Sequence, residues 1–332
     1  MAIFAFMNAC SKVTIVTRST DLPRLSGHKF LHSPAFFRII ESTPGYHPVM
    51  AIAYDAGGRI LAHLMAITCK RRKLFPPFFF TQGRIYGEGD YEEGTDREEV
   101  FGLMLAALTQ RLRQQHCLFT EVSDLPNKMF AYMQFRENGY CPIPWQEIHN
   151  SLHSKPPMER LSDKTRRQIE AARAMGVRTK CVENEEEMEK FFQLIHGYYR
   201  TRPYKFTPPK TLFSQIAKEG QAKLLITAKG KKVIGATACL FAEGNAYLWY
   251  VAARRMDWRL AHPSVLAVWG ALEYAHAKGC RHLVFFDAGQ PYRKSRLRNL
   301  IMRFGGKPVT KFRWYTCPIP WISQLLSWML ND

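Results

Sequence analysis

Two largely apolar runs, Val49–Tyr54 and Arg59–Thr68, stand on either side of the polar, glycine-containing Asp55-Ala56-Gly57-Gly58. Two such runs around a glycine turn predict a hairpin. Val13–Val16 is a further short strand, and Ser33 followed by Pro34 opens a short helix, with the serine as cap and the proline in the first turn. Lys70-Arg71-Arg72-Lys73 then reads as an exposed hairpin end. Thr95-Asp96-Arg97-Glu98 has the form of a capping box with Thr95 as cap. The helix it opens carries Leu103, Ala106, Ala107 and Leu112 at helical spacing, and Cys117–Val122 is the next strand.

The same order recurs later in the chain. Leu224–Ala228 and Lys231–Phe241 flank Lys229-Gly230 as a second hairpin. The run Ala246-Tyr-Leu-Trp-Tyr-Val-Ala-Ala253, rich in aromatic and β-branched residues, is a buried strand. Pro263 suits a first helical position and Gly279 a helix end, after which His282–Phe286 is a strand that stops at Asp287. The expected fold is therefore α+β and duplicated, each copy an antiparallel meander, a helix and a strand. Residues 1–150 form the first domain and residues 151–317 the second. Ile319–Leu330, with Trp321 and Trp328, is a short amphipathic helix suited either to docking on the first domain, so that residues 318–332 complete it, or to lying on a membrane surface.

Between the copies lies a basic helix over residues 162–176, capped by Ser162 and closed by Gly176, with Ile169 and Ala172 on its apolar side. The stretch Arg281–Arg313 holds nine Lys and Arg residues against one carboxylate, Asp287. Within it a short helix turns at Gly305-Gly306 into the strand Val309–Thr316.

Charge sharpens this outline. The chain carries a formal net charge of +19 over 332 residues. Residues 1–150 account for only +2 of it, leaving +17 to residues 151–332. A field of that sign calls for an anionic partner such as a nucleotide carrier, RNA or an anionic lipid surface. The eight cysteines show no C-x-x-C spacing, which fits reduced thiols in a cytoplasm and gives no zinc site. The apolar start lacks a basic leader pattern, and no run of about twenty apolar residues occurs.

The two copies differ most at the start of their central helices. Glu88 to Glu99 contains seven carboxylates and one arginine, whereas the loop before the second helix has Arg254, Arg255 and Arg259 against Asp257. A helix N-terminus presents free N–H groups and partial positive charge, so it favours phosphate. The acidic copy would repel a pyrophosphate. The expected donor-binding residues are therefore Arg254, Arg255, Arg259 and Ser264, all in the second copy.

The tandem arrangement resembles the Fem-type peptidyltransferases within the broader Gcn5-related N-acetyltransferase (GNAT) superfamily. The residues that carry the resemblance are the linker Ser162–Val177, the helix start Pro263-Ser264, Phe286-Asp287 followed by Tyr292-Arg293, and the closing Arg303-Phe304-Gly305-Gly306-Lys307. It spans about Ser33 to Thr316 and rests on order and spacing. It implies acyl transfer from an activated carrier (acyl-CoA, an acyl carrier protein or aminoacyl-tRNA) to an amine or hydroxyl of a cell-envelope or lipid-linked acceptor, peptidoglycan included. No tightly bound cofactor or metal is expected. Two departures stand out. Fem enzymes typically carry lysines just before Phe-Gly-Gly, where Ile301 and Met302 stand here, and residues 254–262 contain no glycine in place of the superfamily's glycine-rich loop.

For this chemistry Asp287 is the expected general base and Tyr292 the acid for the leaving group. Lys164, Arg167, Tyr199, Arg202 and Arg293 are expected to contact the acceptor. The protein is expected to be a cytoplasmic monomer, working at the inner face of the membrane where its basic half meets anionic lipid. The rival reading is a non-catalytic RNA- or anionic-membrane-binding protein on a degenerate acyltransferase fold.

Overall fold

Both expected hairpins form, and each lies in a separate compact unit of the computed structural model, which describes residues 10–27, 29–73, 78–200, 207–254 and 261–318. One unit comprises the described residues up to Pro144 together with those from Lys311 onward; the other is Trp145–Thr310.

In the first unit, β1 (Lys12–Val16), β2 (Tyr46–Tyr54), β3 (Ile60–Lys73) and β4 (Phe78–Tyr86) pair antiparallel in that order. The two-residue β5 (Asp90–Tyr91) pairs with β3. The helix α2 (Arg97–Gln114) then leads into β6 (Cys117–Ser123), which lies parallel to β4. The last strand in sequence, β13 (Lys307–Thr316), returns to pair antiparallel with β6. The short helix α1 (Pro34–Ser42) is capped as expected, its Ser33 hydroxyl accepting from the Phe36 N–H at 3.1 Å.

Three details differ from the sequence-based expectation. The cap of α2 is Asp96, whose carboxylate accepts from the N–H groups of Glu98 and Glu99, in place of Thr95. An ionised cap one position later satisfies two of the helix's orphan donors, where a Thr95 hydroxyl would reach one. The stripe that α2 buries is Phe101, Met104, Leu105, Leu108 and Leu112, while Leu103 is 42 % exposed. Both stripes have helical spacing, and the one with more apolar area to remove from water faces the sheet. Finally, the basic cluster Lys70–Lys73 continues β3 and pairs with β4 as far as Lys73 opposite Phe78.

α2 packs on β2 and β3 in the core of this unit, and α3 (Tyr132–Glu137) meets β13 at its edge. Trp314 and Phe135 are fully buried and stack with ring centroids 4.5 Å apart and planes within 5°. On the other side of the sheet Glu121 of β6, 5 % exposed, meets Arg84 of β4 at 2.8 Å and Arg313 of β13 at 3.3 Å.

In the second unit, β8 (Val177–Cys181), β9 (Ala222–Lys229), β10 (Lys232–Ala242) and β11 (Asn245–Ala253) form the antiparallel meander. After α7 (Pro263–Ala277), β12 (His282–Phe285) lies parallel to β11, and β7 (Cys141–Ser151) flanks it antiparallel. The linker helix α4 (Asp163–Ala174) is capped by Ser162 and buries Ile169 and Ala172, as the pattern predicts. It meets α7 through an ion pair of Arg173 with Glu273 at 2.5 Å. Two further helices, α5 (Glu185–Tyr199) and α6 (Lys210–Lys218), cover the opposite face of the meander. Met188, Phe191, Ile195 and Tyr199 make one buried stripe of α5, packed on Leu224, Ile226, Ala236 and Tyr250. The helix α8 (Arg296–Met302) precedes β13.

Candidate functional site

The two units diverge in the pairing of the strands on either side of the central helix. In the first unit β4 and β6 stay in register over Gln82–Tyr86 and Phe119–Ser123 without a gap. In the second, β11 and β12 pair only at Ala246 with Leu283 and Tyr247 with Val284. From Leu248 on, β11 leaves its parallel neighbour. The departure has a local cause. Opposite β10, Cys239 faces Leu248 and Ala238 faces Tyr250, so Trp249 is an extra residue, a β-bulge. A bulge bends the strand and increases its twist, which turns the following residues away from β12.

Past the bulge, β11 presents a main-chain edge that β12 no longer takes up, and buried edge groups need partners. The last residue of α5 supplies them. The Tyr199 hydroxyl donates to the Val251 carbonyl at 2.9 Å and accepts from the Val251 N–H at 3.4 Å. Tyr199 is 5 % exposed, its ring against Tyr250 at 5.2 Å. The gap between the strands narrows to a crevice lined by Tyr199, Leu248, Trp249, Val251, Phe285, Asp287, Leu297 and Ile301. Its free volume is about 10 Å³, room for one water.

The helix that rises beside this gap differs from its counterpart in the first unit. Among the described residues no side chain caps α7, and its first turn carries no acid, whereas α2 holds the Asp96 cap with Glu98 and Glu99. His262, in the left-handed region at φ 42°, occupies the cap position of α7. Burial, and secondarily the charge of Arg303, holds its imidazole below the usual histidine value. The end of α7 thus keeps its partial positive charge without a first-turn carboxylate to neutralise it.

Two of the residues singled out from sequence meet in the crevice, Asp287 and Tyr199. Asp287 lies just past the end of β12, and Tyr199 arrives from α5. Ser264 is half-buried at the second position of α7. Arg254 is exposed at the end of β11, its N–H bonded to the Ile234 carbonyl at 2.9 Å. Lys164 and Arg167 are exposed on α4, away from its buried Ile169 stripe. Tyr292, 49 % exposed, and Arg293 sit on the turn before α8, where Arg298 bonds the Arg293 carbonyl at 2.5 Å. Tyr292 and Arg293 are not among the crevice-lining residues. Arg202, Arg255, Arg259 and the segment 319–330 lie outside the described residues.

Phe304-Gly305-Gly306 is explained by packing. Phe304 is 1 % exposed, and its carbonyl accepts from the Asn150 side chain at 2.6 Å. Gly305 has φ 80°, and a Cβ there would lie 2.8 Å from the Arg160 carbonyl oxygen. A Cβ on Gly306 would overlap the Ile148 side chain on β7. The glycines let the chain leave α8 tight against β7.

Sequence reasoning missed the Trp249 bulge and the Val251 main-chain pair. A bulge has no residue signature outside glycine, and a backbone N–H has none at all. The helix that delivers Tyr199 did have a signal: Asn184 before Glu185-Glu186-Glu187, and its side chain does cap the Glu187 N–H at 2.9 Å.

Residues 160–294 match the acetyltransferase (GNAT) domain family. Among solved structures, FemX is similar over 91 % of this chain and 95 % of its own, with a TM-score of 0.62 at 11 % identity. A tandem GNAT protein from the clavulanic acid biosynthesis pathway aligns over 93 % of this chain and 99 % of its own, with a TM-score of 0.57 at 12 % identity. L-PGS from Bacillus licheniformis aligns over 93 % and 100 %, with a TM-score of 0.56 at 11 % identity. No curated protein sequence matches the chain. At such identities the structural likeness carries the fold, a tandem GNAT architecture, and the matched domain contains the whole β11–α7–β12 site.

Proposed function

We propose, for a chain that carries a GNAT-family acetyltransferase domain at residues 160–294 and has the Fem-type tandem GNAT fold, that the second unit transfers an acyl group from acyl-CoA to an amine or hydroxyl. The observation that carries this reading is the parting of β11 from β12 after two paired positions, beside a helix start without an acidic cap. A parted strand edge offers main-chain N–H groups to an extended donor arm and to the acyl carbonyl oxygen, where negative charge develops during attack. The uncapped start of α7 suits the donor's pyrophosphate. The first unit has neither feature, which supports a structural or acceptor-side role for it.

In the proposed reaction the acceptor's nitrogen or oxygen attacks the thioester carbon, and Asp287 takes the proton the acceptor loses. The carbon–sulfur bond breaks, and the thiolate leaves with a proton from Tyr292 or water. Arg254, Arg255 and Arg259 attract the donor's phosphates. Ser264 adds a donor at the first turn of α7. Lys164, Arg167, Arg202 and Arg293 serve the acceptor. The reading is tested by measuring acetyl-CoA binding calorimetrically with the wild type and with Arg254, Arg255 and Arg259 replaced together by Ala. Binding by the triple variant should be weaker by roughly 1–3 kcal/mol for each charge-assisted hydrogen bond to phosphate that the substitutions remove. Equal affinity would move the phosphates elsewhere.

For the acceptor we take a component of the cell envelope or its lipid. The resemblance to Fem-type peptidyltransferases implies that class, and the +17 charge of residues 151–332 suits it. Among the described residues no helix is long and apolar enough to cross a membrane. Each basic residue near an anionic leaflet contributes about 1 kcal/mol, and salt screens it within a Debye length. Sedimentation with phosphatidylglycerol vesicles should therefore fall as salt rises, and fall further when residues 319–332 are deleted. A protein that ignores these vesicles at low salt would point to a soluble acceptor.

A further inference from the structure

The crevice is closed by its own side chain. We propose that Tyr199 is a resident competitor of the acyl donor. Its hydroxyl occupies the Val251 N–H and carbonyl until a donor arm offering its own carbonyl oxygen and amide N–H displaces it. The inference rests on the acyl-CoA reading above and adds to it a residue that sets donor affinity.

Three observations lead there. The phenol makes both of these hydrogen bonds to one residue, at 2.9 Å and 3.4 Å, and that residue lies directly past the bulge where β11 leaves β12. A hydroxyl has one proton to donate and lone pairs to accept with, so a single oxygen can answer an N–H and a carbonyl together. An extended amide in a strand-like arm meets the same two needs. In addition, the free volume around the phenol, about 10 Å³, admits a water but no chain of heavy atoms. Entry of any donor arm along Val251 therefore requires the hydroxyl to move.

Anchoring explains why the phenol can leave. The Tyr199 ring also packs on side chains other than Val251: Tyr250 at 5.2 Å and Tyr198 at 5.1 Å, in a stripe shared with Phe191 and Ile195. A small rotation can break the two hydrogen bonds without emptying the apolar core. The position at the last residue of α5 favours this, because helix ends fray before helix centres.

The test is calorimetric titration of the wild type and Tyr199→Phe with acetyl-CoA. Phenylalanine keeps the ring and removes the competitor, so the variant should bind about tenfold more tightly, the size of one or two net hydrogen bonds. In the absence of donor the variant should melt earlier than the wild type, and saturating acetyl-CoA should close that difference. Equal or weaker binding by the variant would overturn the competitor role. If neither protein binds acetyl-CoA, the donor assignment falls and the competitor with it, whereas wild-type binding with no gain in the variant leaves the donor assignment standing. Should Tyr199→Phe fail to fold, the Val251 amide resonance of the wild type decides the matter. It should shift as acetyl-CoA saturates, and an unmoved resonance would sink the proposal.

Discussion

Asp287→Asn is expected to lower the rate of acyl transfer by about 10²–10⁴ while leaving donor affinity close to that of the wild type. Asp287 lies two residues past the end of β12 and lines the crevice together with Val251 and Phe285. A carboxylate there can take a proton from an acceptor that attacks a carbonyl held against β11. Asparagine has nearly the same shape and can still accept a hydrogen bond through its oxygen, but it cannot accept a proton at neutral pH. The loss should therefore appear in kcat, with the donor's dissociation constant changed by less than about threefold. Pre-steady-state measurement of CoA release separates the two. A variant that transfers acyl groups at the wild-type rate would remove Asp287 from the chemistry. One that loses donor affinity in step with rate would make it a binding residue.

Glu121→Ala should destabilise the protein by about 3–5 kcal/mol, the cost of removing one member of a buried ionic cluster. The carboxylate is 5 % exposed, with the Arg84 guanidinium at 2.8 Å, Arg313 at 3.3 Å and the Gln82 amide at 3.4 Å. These partners come from β4 and β13, so the cluster ties both strands to β6 across one face of the sheet. Taking the carboxylate away leaves two positive charges in a site built around its negative one. The repulsion is then opposed by little solvent, since Arg313 is itself only 9 % exposed. The alternative Glu121→Gln keeps the hydrogen-bonding shape and removes the charge, and should cost less than Ala. Urea denaturation of the three proteins gives the ranking. A loss below about 1 kcal/mol for Glu121→Ala would mean that the cluster is solvated in solution and contributes little.

Most of the local architecture was legible from residue order, because it is set by neighbours in the chain. Apolar runs on either side of Asp55–Gly58 and of Lys229-Gly230 marked both hairpins, and the caps Ser33 and Ser162 could be read from residue type and position. The duplication was legible for the same reason, as was the contrast between the acidic approach to α2 and the basic approach to α7. Asp287 and Tyr199 also stood out in the sequence, and the fold brings them to one crevice from positions 88 residues apart in the chain.

Where two local solutions were nearly equal, tertiary packing chose. On α2 two stripes share the helical period, and only contact with the sheet selected Phe101, Leu105 and Leu108 over Leu103. Thr95 and Asp96 were both competent caps, and the one whose carboxylate could satisfy two N–H groups took the role. Phe304-Gly305-Gly306 looked like a family mark, yet its need for glycine comes from β7 and the Arg160 carbonyl, neither of which is near in sequence. The same holds at the site itself. That β11 should part from β12 depends on the single extra residue Trp249 opposite β10, a matter of register between strands. An N–H and a carbonyl like those of Val251 recur all along any chain; only the parting of two strands makes this pair available, and only the end of α5 puts a phenol on it.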